Sequence, residues 1–289
     1  MLNIEKKYQI ADDLLFIMES EYKSIDEISS LTGISRTTIY EILKNNCCDE
    51  KVCEKFYSFA YERNYRINSV KEDVLKESND DLVLFHGSKN GLSLIKFDGS
   101  RENCDFGKGF YLGESYEQGL SFVCENKKSS VYSFLCDLSD LKVLKFDCNL
   151  EWMLAICYYR GTLNEYSSSN IVQNIIAKIN EADVIIAPIA DNKMFYVMSL
   201  FAAGDINVNV AIHSLSASKL GKQFVFKTEK SLTKLIPIEK YYLCQKEKSD
   251  CYQRMIQRSN EIETKLKYSK REFKDGLYIE ELLKCENLI

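Results

Sequence analysis

The sequence predicts an α+β protein with a small all-α unit in front and a long helix behind, and three observations carry that prediction. Residues 24–46, SIDEISSLTGISRTTIYEILKNN, read as two short helices joined at a glycine. Beyond residue 80, short apolar runs alternate with helical ones. Residues 249–274 form a lysine-rich stretch with Met255, Ile256, Ile262 and Leu266 at helical spacing. The expected units are therefore 1–75 (helical, with the helix-turn-helix), 80–243 (α+β) and 244–289 (a C-terminal helical extension).

In chain order, an amphipathic run over 4–19 comes first. Ser24 then caps a helix carrying Ile25, Ile28 and Leu31 on one face, Gly33 supplies the turn, and Ser35 caps a second helix with Ile39, Ile42 and Leu43 inward. Arg36, Thr37, Tyr40 and Lys44 fall where a recognition helix meets a major groove, and the GISRTTIYEIL core resembles bacterial helix-turn-helix regulators. Charge opposes DNA as the partner: residues 1–80 hold 11 basic against 16 acidic side chains, whereas the remainder is balanced at 27 against 27. A duplex binder gains affinity by neutralising phosphates, so this unit is expected to dock a protein or regulate, with DNA binding disfavoured. The charged stretch 71–81 reads as the boundary. Strands are expected at 82–86, 131–136, 142–146, 184–187 and 223–227. Among the helices between them, LEWMLAICYY follows an Asn149 cap and MFYVMSLFAAG stops at Gly204.

With 289 residues, 45% of them hydrophobic, the chain can bury a good core. It holds no run of the roughly 18 apolar residues that a membrane helix needs, and MLNIEKKYQIADD is too charged for a signal peptide, so the expectation is a cytoplasmic protein with no membrane partner. Eleven cysteines, odd in number and scattered, read as reduced thiols; with only His86 and His213 as imidazoles, no metal site is expected.

The stretch DFGKGFYLGES, residues 105–115, carries the chemistry. It is not a phosphate loop, because Phe110 stands where the P-loop needs Ser or Thr after glycine-lysine, and the dinucleotide fingerprint is absent too. In LVLFHGS, residues 82–88, a histidine ends an apolar strand, and the glycine after it lets a planar ligand reach backbone N–H and C=O. Tyr111, beyond a glycine-flexed turn, can carry its ring across that groove. A flat amide held by main chain and covered by an aromatic ring is a way to bind nicotinamide.

LFHGS followed by DFGKGFYLGESYEQGLSFVC resembles the donor site of poly(ADP-ribose) polymerases and their diphtheria-toxin-type relatives, the ADP-ribosyltransferases with a His-Tyr-Glu triad. ADVIIAPIADNKMFYVMSLFAAGDI with LGKQFVFKT resembles a bacterial family of unknown function that shares the transferase-like fold, and the two matches together span about 82–235. The resemblance implies a split β-sheet and NAD as co-substrate. It implies His86 on the adenosine-side ribose hydroxyl, Gly87 holding the nicotinamide amide, Ser88 beside it, Gly109 in the turn, Tyr111 stacked on the nicotinamide and Phe122 as a second ring. Gln223 stands where the family has its glutamate; it keeps a hydrogen bond but no charge, which removes polymer elongation and leaves single transfer, NAD hydrolysis or binding. Glu114 and Asp191 are the candidate carboxylates to replace it, each read in the first place as a helix-start or loop acid that satisfies backbone N–H groups. His213 is read as structural. The implied function is a mono-ADP-ribosyltransferase acting on a protein or nucleic-acid acceptor, as a toxin or phage-defence effector held by an antitoxin or other protein. The alternative is a helix-turn-helix regulator that senses NAD without turning it over.

Overall fold

The two short helices joined at Gly33 form as their caps dictate. In the computed structural model, which describes residues 8–163, 165–216 and 221–284, helix α1 is Ile10–Ser20, α2 Ile25–Thr32 and α3 Arg36–Asn45. Residues 4–7 of the expected first run lie outside the described residues. Ser24 closes a capping box with Glu27, Gly33 ends α2 in the left-handed conformation (φ 67°), and Ser35 accepts the N–H of Thr38. Such a cap contributes about 1 kcal/mol, which matters for helices of two to three turns. Ile28, Ile39 and Ile42 are buried, but Leu31 is 39% exposed: α2 is eight residues long, and Ile28 is its buried anchor.

Two further helices, α4 (Glu50–Glu62) and α5 (Ile67–Glu77), complete the helical region. Its core of Ile17, Ile28, Ile39, Phe56 and Tyr57 runs on into Tyr242 and Cys244 of the next layer. Within the charged stretch 71–81, residues 71–77 are the last turns of α5, and β1 follows at Leu82. Their charges bind inward: Lys71 Nζ lies 2.5 Å from both the Asp13 and the Glu239 carboxylates. Burial raises the pKa of both acids, and the shared lysine opposes that shift.

Among the described residues seven strands form one sheet: β1 (Leu82–Ser88), β2 (Phe110–Gly113), β3 (Ser130–Cys136), β4 (Val143–Lys145), β5 (Val184–Pro188), β6 (Lys222–Phe226) and β7 (Leu235–Tyr242), in the order β4-β5-β6-β2-β1-β3-β7. All neighbours are antiparallel except β4 and β5. The expected split sheet is one hydrogen-bonded sheet with a weak seam: β1 and β2 share the single registered pair Phe85–Gly113, against seven pairs between β1 and β3. Tyr8 adds a parallel bridge to Lys240 at the β7 edge. β2 and β7 were not foreseen. The first hides in the glycine turn, and the second contains Pro237, which an edge strand tolerates.

Strand alternation divides the side chains between two faces. On one face Val83, Phe85, Tyr111, Gln223, Val225, Ile185 and Ala187 meet helices. There α6 (Tyr116–Ser121) covers β1 and β3, while α7 (Leu150–Tyr159), α8 (Asn170–Glu181), α9 (Asn192–Ala202) and α10 (Val208–Leu215) build the largest core around Trp152, Met153 and Phe201. The other face carries Leu84, Phe110, Leu112, Phe134, Phe224 and Phe226, covered by Leu92 and Ile95 and by residues flanking α11 (Glu229–Leu232). The expected C-terminal helix is α12, Gln245–Glu272, which packs on α4, α6, α9 and α10, and a short α13 (Ile279–Lys284) follows. Among the described residues no helix is long and apolar enough to cross a membrane, and the cysteines are free.

Candidate functional site

The seam between β1 and β2 is where the sheet's ladder gives way to a side chain. Beyond Phe85–Gly113 the next residue of β1 is His86, whose Nδ1 lies 2.8 Å from the Tyr111 carbonyl oxygen. A carbonyl only accepts, so Nδ1 carries the proton and donates, leaving Nε2 of the neutral ring as an acceptor. The half-buried imidazole stacks on Phe110 at 4.4 Å between ring centres and 26° between planes. Loss of water holds its pKa below the ordinary histidine value, and the Tyr111 carbonyl opposes that shift only in part. The ring is thus held neutral, with one acceptor nitrogen uncommitted to Tyr111.

Gly87 follows with its backbone against α6. A Cβ there would stand 2.1 Å from the Gly119 carbonyl oxygen and 3.1 Å from Val123 Cγ1, so only glycine lets helix and strand meet this closely. Helix α6 therefore fills the helical side of Gly87, while the registered pairing of β1 with β2 stops two residues earlier, at Phe85. Ser88 Oγ donates to the Gly91 carbonyl at 2.6 Å and closes the turn after β1. Phe122, at the C-cap of α6, is 54% exposed and next to the Val123 that touches Gly87.

Tyr111 is placed differently from the expectation. Alternation along β2 puts its side chain on the helix-covered face, opposite to His86 and Phe110. Its hydroxyl donates to Gly107 O at 2.7 Å and accepts from Phe106 N at 3.1 Å, which folds the ring back onto the glycine turn. Burial pushes this phenol far above its usual pKa. The ring on the imidazole is Phe110, one residue earlier, and Tyr111 reaches His86 through its backbone. The turn's glycines are explained locally: Gly107 has φ 73° with the Tyr159 ring 2.8 Å from a Cβ position, and a Cβ on Gly109 would meet Val225 Cγ1 at 2.5 Å.

Gln223 also lies on the helix-covered face, in register with Gly113 of β2 and two strands from β1. It is 3% exposed, and its Nε2 donates to Asp105 Oδ2 at 2.8 Å and to the Pro188 carbonyl at 3.1 Å. Both partners only accept, so the amide is fixed with Oε1 turned away from them. Asp105 is in turn held by Arg160, through Nε at 2.7 Å and through Nη2. Arg160 reaches the Ala190 carbonyl at 3.0 Å and lies 4.5 Å over the Phe195 ring. Lys227, with its pKa lowered to about 8 by burial, donates to Phe106 O at 2.7 Å and covers Tyr159. The structure therefore brings His86, Gly87 and Ser88 together at the seam and gathers Tyr111 and Gln223 with Asp105 and Arg160 on the other side of the sheet.

Of the candidate carboxylates, Asp191 caps α9, accepting the Met194 N–H at 2.7 Å. Glu114 lies beside Gly221, and its backbone N–H bonds the Lys222 carbonyl. His213, bonded to Ser269 Oγ at 2.9 Å and packed on Phe273, ties α10 to α12 as a structural residue. Sequence reasoning missed Asp105 as a ligand of Gln223, although it heads the very stretch that was singled out. Arg160 gave no signal, because its partners are 55 and 30 residues away.

Comparison with known proteins finds one family model, described as a protein of unknown function (DUF3990), that matches residues 82–236, more than half of the chain. That span runs from the start of β1 into β7 and includes the seam, the glycine turn and Gln223. No curated protein and no solved structure matches.

Proposed function

Taking as premise that the chain belongs to the DUF3990 family of proteins of unknown function, we propose that it binds NAD+ at the seam between β1 and β2 and transfers ADP-ribose from it. The observation that carries this reading is His86: a neutral imidazole spanning the seam, with Nδ1 spent on Tyr111 O and Nε2 left to accept a ribose hydroxyl. Gly87 beside it offers backbone at a strand edge to a planar amide. The fit to a full transferase triad is partial, because Tyr111 and Gln223 face the other side of the sheet. In the reaction the bond between nicotinamide and ribose breaks, nicotinamide leaves with the electron pair, and an acceptor oxygen or nitrogen, or water, bonds to the ribose carbon and gives up a proton. This chain's own part is to bind and orient the nucleotide and to keep one acceptor nitrogen on the ribose.

A second reading, nucleotide binding without turnover, is favoured by Gln223, whose amide N–H groups are spent on Asp105 and Pro188 O. The two are separated by incubating the protein with NAD+ labelled in the adenylate and following free nicotinamide and labelled macromolecule. Release of nicotinamide that His86→Asn abolishes supports transfer or hydrolysis. Binding without release supports the sensor, and the absence of binding removes both.

A further inference from the structure

Three buried polar side chains from three helices meet at the junction of the helical region with the sheet. Asn68 (5% exposed) belongs to α5, Tyr116 to α6 and Glu247 (8% exposed) to α12. Tyr116 Oη donates to Glu247 Oε1 at 2.9 Å. Asn68 Nδ2 lies within hydrogen-bond distance of three acceptors, Tyr116 Oη at 2.8 Å, the Tyr242 carbonyl at 2.9 Å and Glu247 Oε2 at 3.2 Å, yet it carries two hydrogens. Asn68 Oδ1, buried in the same place, has no partner. With Glu247 ionised the cluster is one hydrogen short, and it contains an acceptor with nothing to accept.

A proton on Glu247 supplies that hydrogen. We propose that Asn68, Tyr116 and Glu247 form a proton-operated latch that draws α5, α6 and α12 together when Glu247 is protonated and loosens them when it ionises. Protonation turns the carboxyl from an acceptor only into a donor beside the Asn68 amide, whose Nδ2 lies 3.2 Å from Glu247 Oε2, and removes a charge from a buried place. Burial above all holds the Glu247 carboxyl up at about 7, against the pull of Tyr116, Asn68 and Arg254.

The groups facing Glu247 from each neighbour leave it as the one that titrates near neutrality. Tyr57 and Tyr61 of α4 and Tyr116 of α6 have phenols raised above their usual range, as does Tyr242 at the end of β7. Cys244 is pushed up to about 11 by burial. Arg254, two turns along α12, is paired with Glu117, and Arg66 lines the cleft beside Glu247 together with Tyr57, Tyr61 and Asn68. The latch reaches the seam through α6, whose Gly119 carbonyl lies against Gly87. It does not depend on the nucleotide reading.

Amide hydrogen exchange of the full chain at pH 6 and pH 8, corrected for intrinsic rates, tests the latch in α5 and α6. If opening exposes Glu247 to water, a carboxyl at about 7 predicts about tenfold weaker protection at pH 8 than at pH 6, with a midpoint near neutrality. Glu247→Gln, which is neutral at every pH and still carries a donor, should hold the protected state at both. Tyr116→Phe, which removes a hydroxyl that favours the ionised form, should move the midpoint upward. A wild type with equal protection at both pH values, a shift that persists in Glu247→Gln, or a midpoint untouched by Tyr116→Phe each overturns the proposal.

Discussion

The imidazole of His86 and the backbone of Tyr111 are joined across the seam of the sheet, Nδ1 donating to the carbonyl oxygen at 2.8 Å. That one bond stands where a strand ladder would otherwise continue, and it fixes which nitrogen is left for a ligand. Substitution by asparagine separates the two roles. His86→Asn can still donate to the Tyr111 carbonyl but has nothing at the Nε2 position, so it should lose at least tenfold in NAD+ affinity, about 1.4 kcal/mol, with a thermal midpoint close to wild type. Equilibrium binding and a melting curve on the same sample check both halves.

The neutral state of His86 sets a pH dependence. Its pKa is lowered in the folded chain, so the acceptor survives at a pH where an ordinary histidine has already charged. The same sign applies to stability: a depressed histidine contributes nothing above the unfolded value near 6.5 and costs stability as pH falls below it. NAD+ affinity should therefore be flat from pH 8 to about 6.5 and decline only in more acid solution. An affinity that halves at pH 6.5 would place the histidine at its ordinary value.

Restoring the glutamate that the transferase resemblance leads one to expect should harm this protein. Gln223→Glu puts a second carboxylate against Asp105, at a contact now 2.8 Å long, and against the Pro188 carbonyl. The thermal midpoint should fall by several degrees at pH 7.5 and recover on acidification, as one of the two acids protonates. Asp105→Asn alone should cost about 3–5 kcal/mol, since it leaves the Arg160 guanidinium without its carboxylate in a mostly buried site.

Gly87 tests the packing beneath the seam. Gly87→Ala drives a methyl group to 2.1 Å from a backbone oxygen of α6, which has no side-chain freedom with which to yield. A cost of about 1–3 kcal/mol is expected, with weakened nucleotide binding, read by denaturant unfolding and by titration.

The helix-turn-helix is predicted not to act on duplex DNA by charge. Its region carries more acid than base, and Arg36, on the would-be recognition face, is paired with Asp26 at 2.8 Å. Random duplex at low salt should show no measurable affinity, and a salt-dependent affinity would reverse that reading.

Much of the fold was legible, and the reasons are local. Ser24, Gly33 and Ser35 announce the first helices because caps and left-handed turns are decided within four residues. The apolar runs at β3, β5 and β6 are read from composition alone, as both faces of those strands are covered. Leu31 was misplaced because inward spacing does not say how far a neighbour extends. The two ion pairs of Lys71 were not legible, because its partners Asp13 and Glu239 lie 58 and 168 residues away.

The site was legible as a set of residues and not as an arrangement. HGS and FGKGFY lie on the neighbouring strands β1 and β2 or in the turn before β2. Which face each side chain takes is a matter of one residue of register, and that register sends Phe110 to His86 and Tyr111 to Gly107. Asp105 and Arg160 depend on long-range packing that no spacing encodes.

The most direct test of the central claim is equilibrium titration of the wild-type chain and of His86→Asn with NAD+ at pH 7.5. The account predicts saturable one-to-one binding by the wild type, weakened at least tenfold by the substitution. Equal affinity in the two proteins, or no binding by a folded wild type, would contradict it.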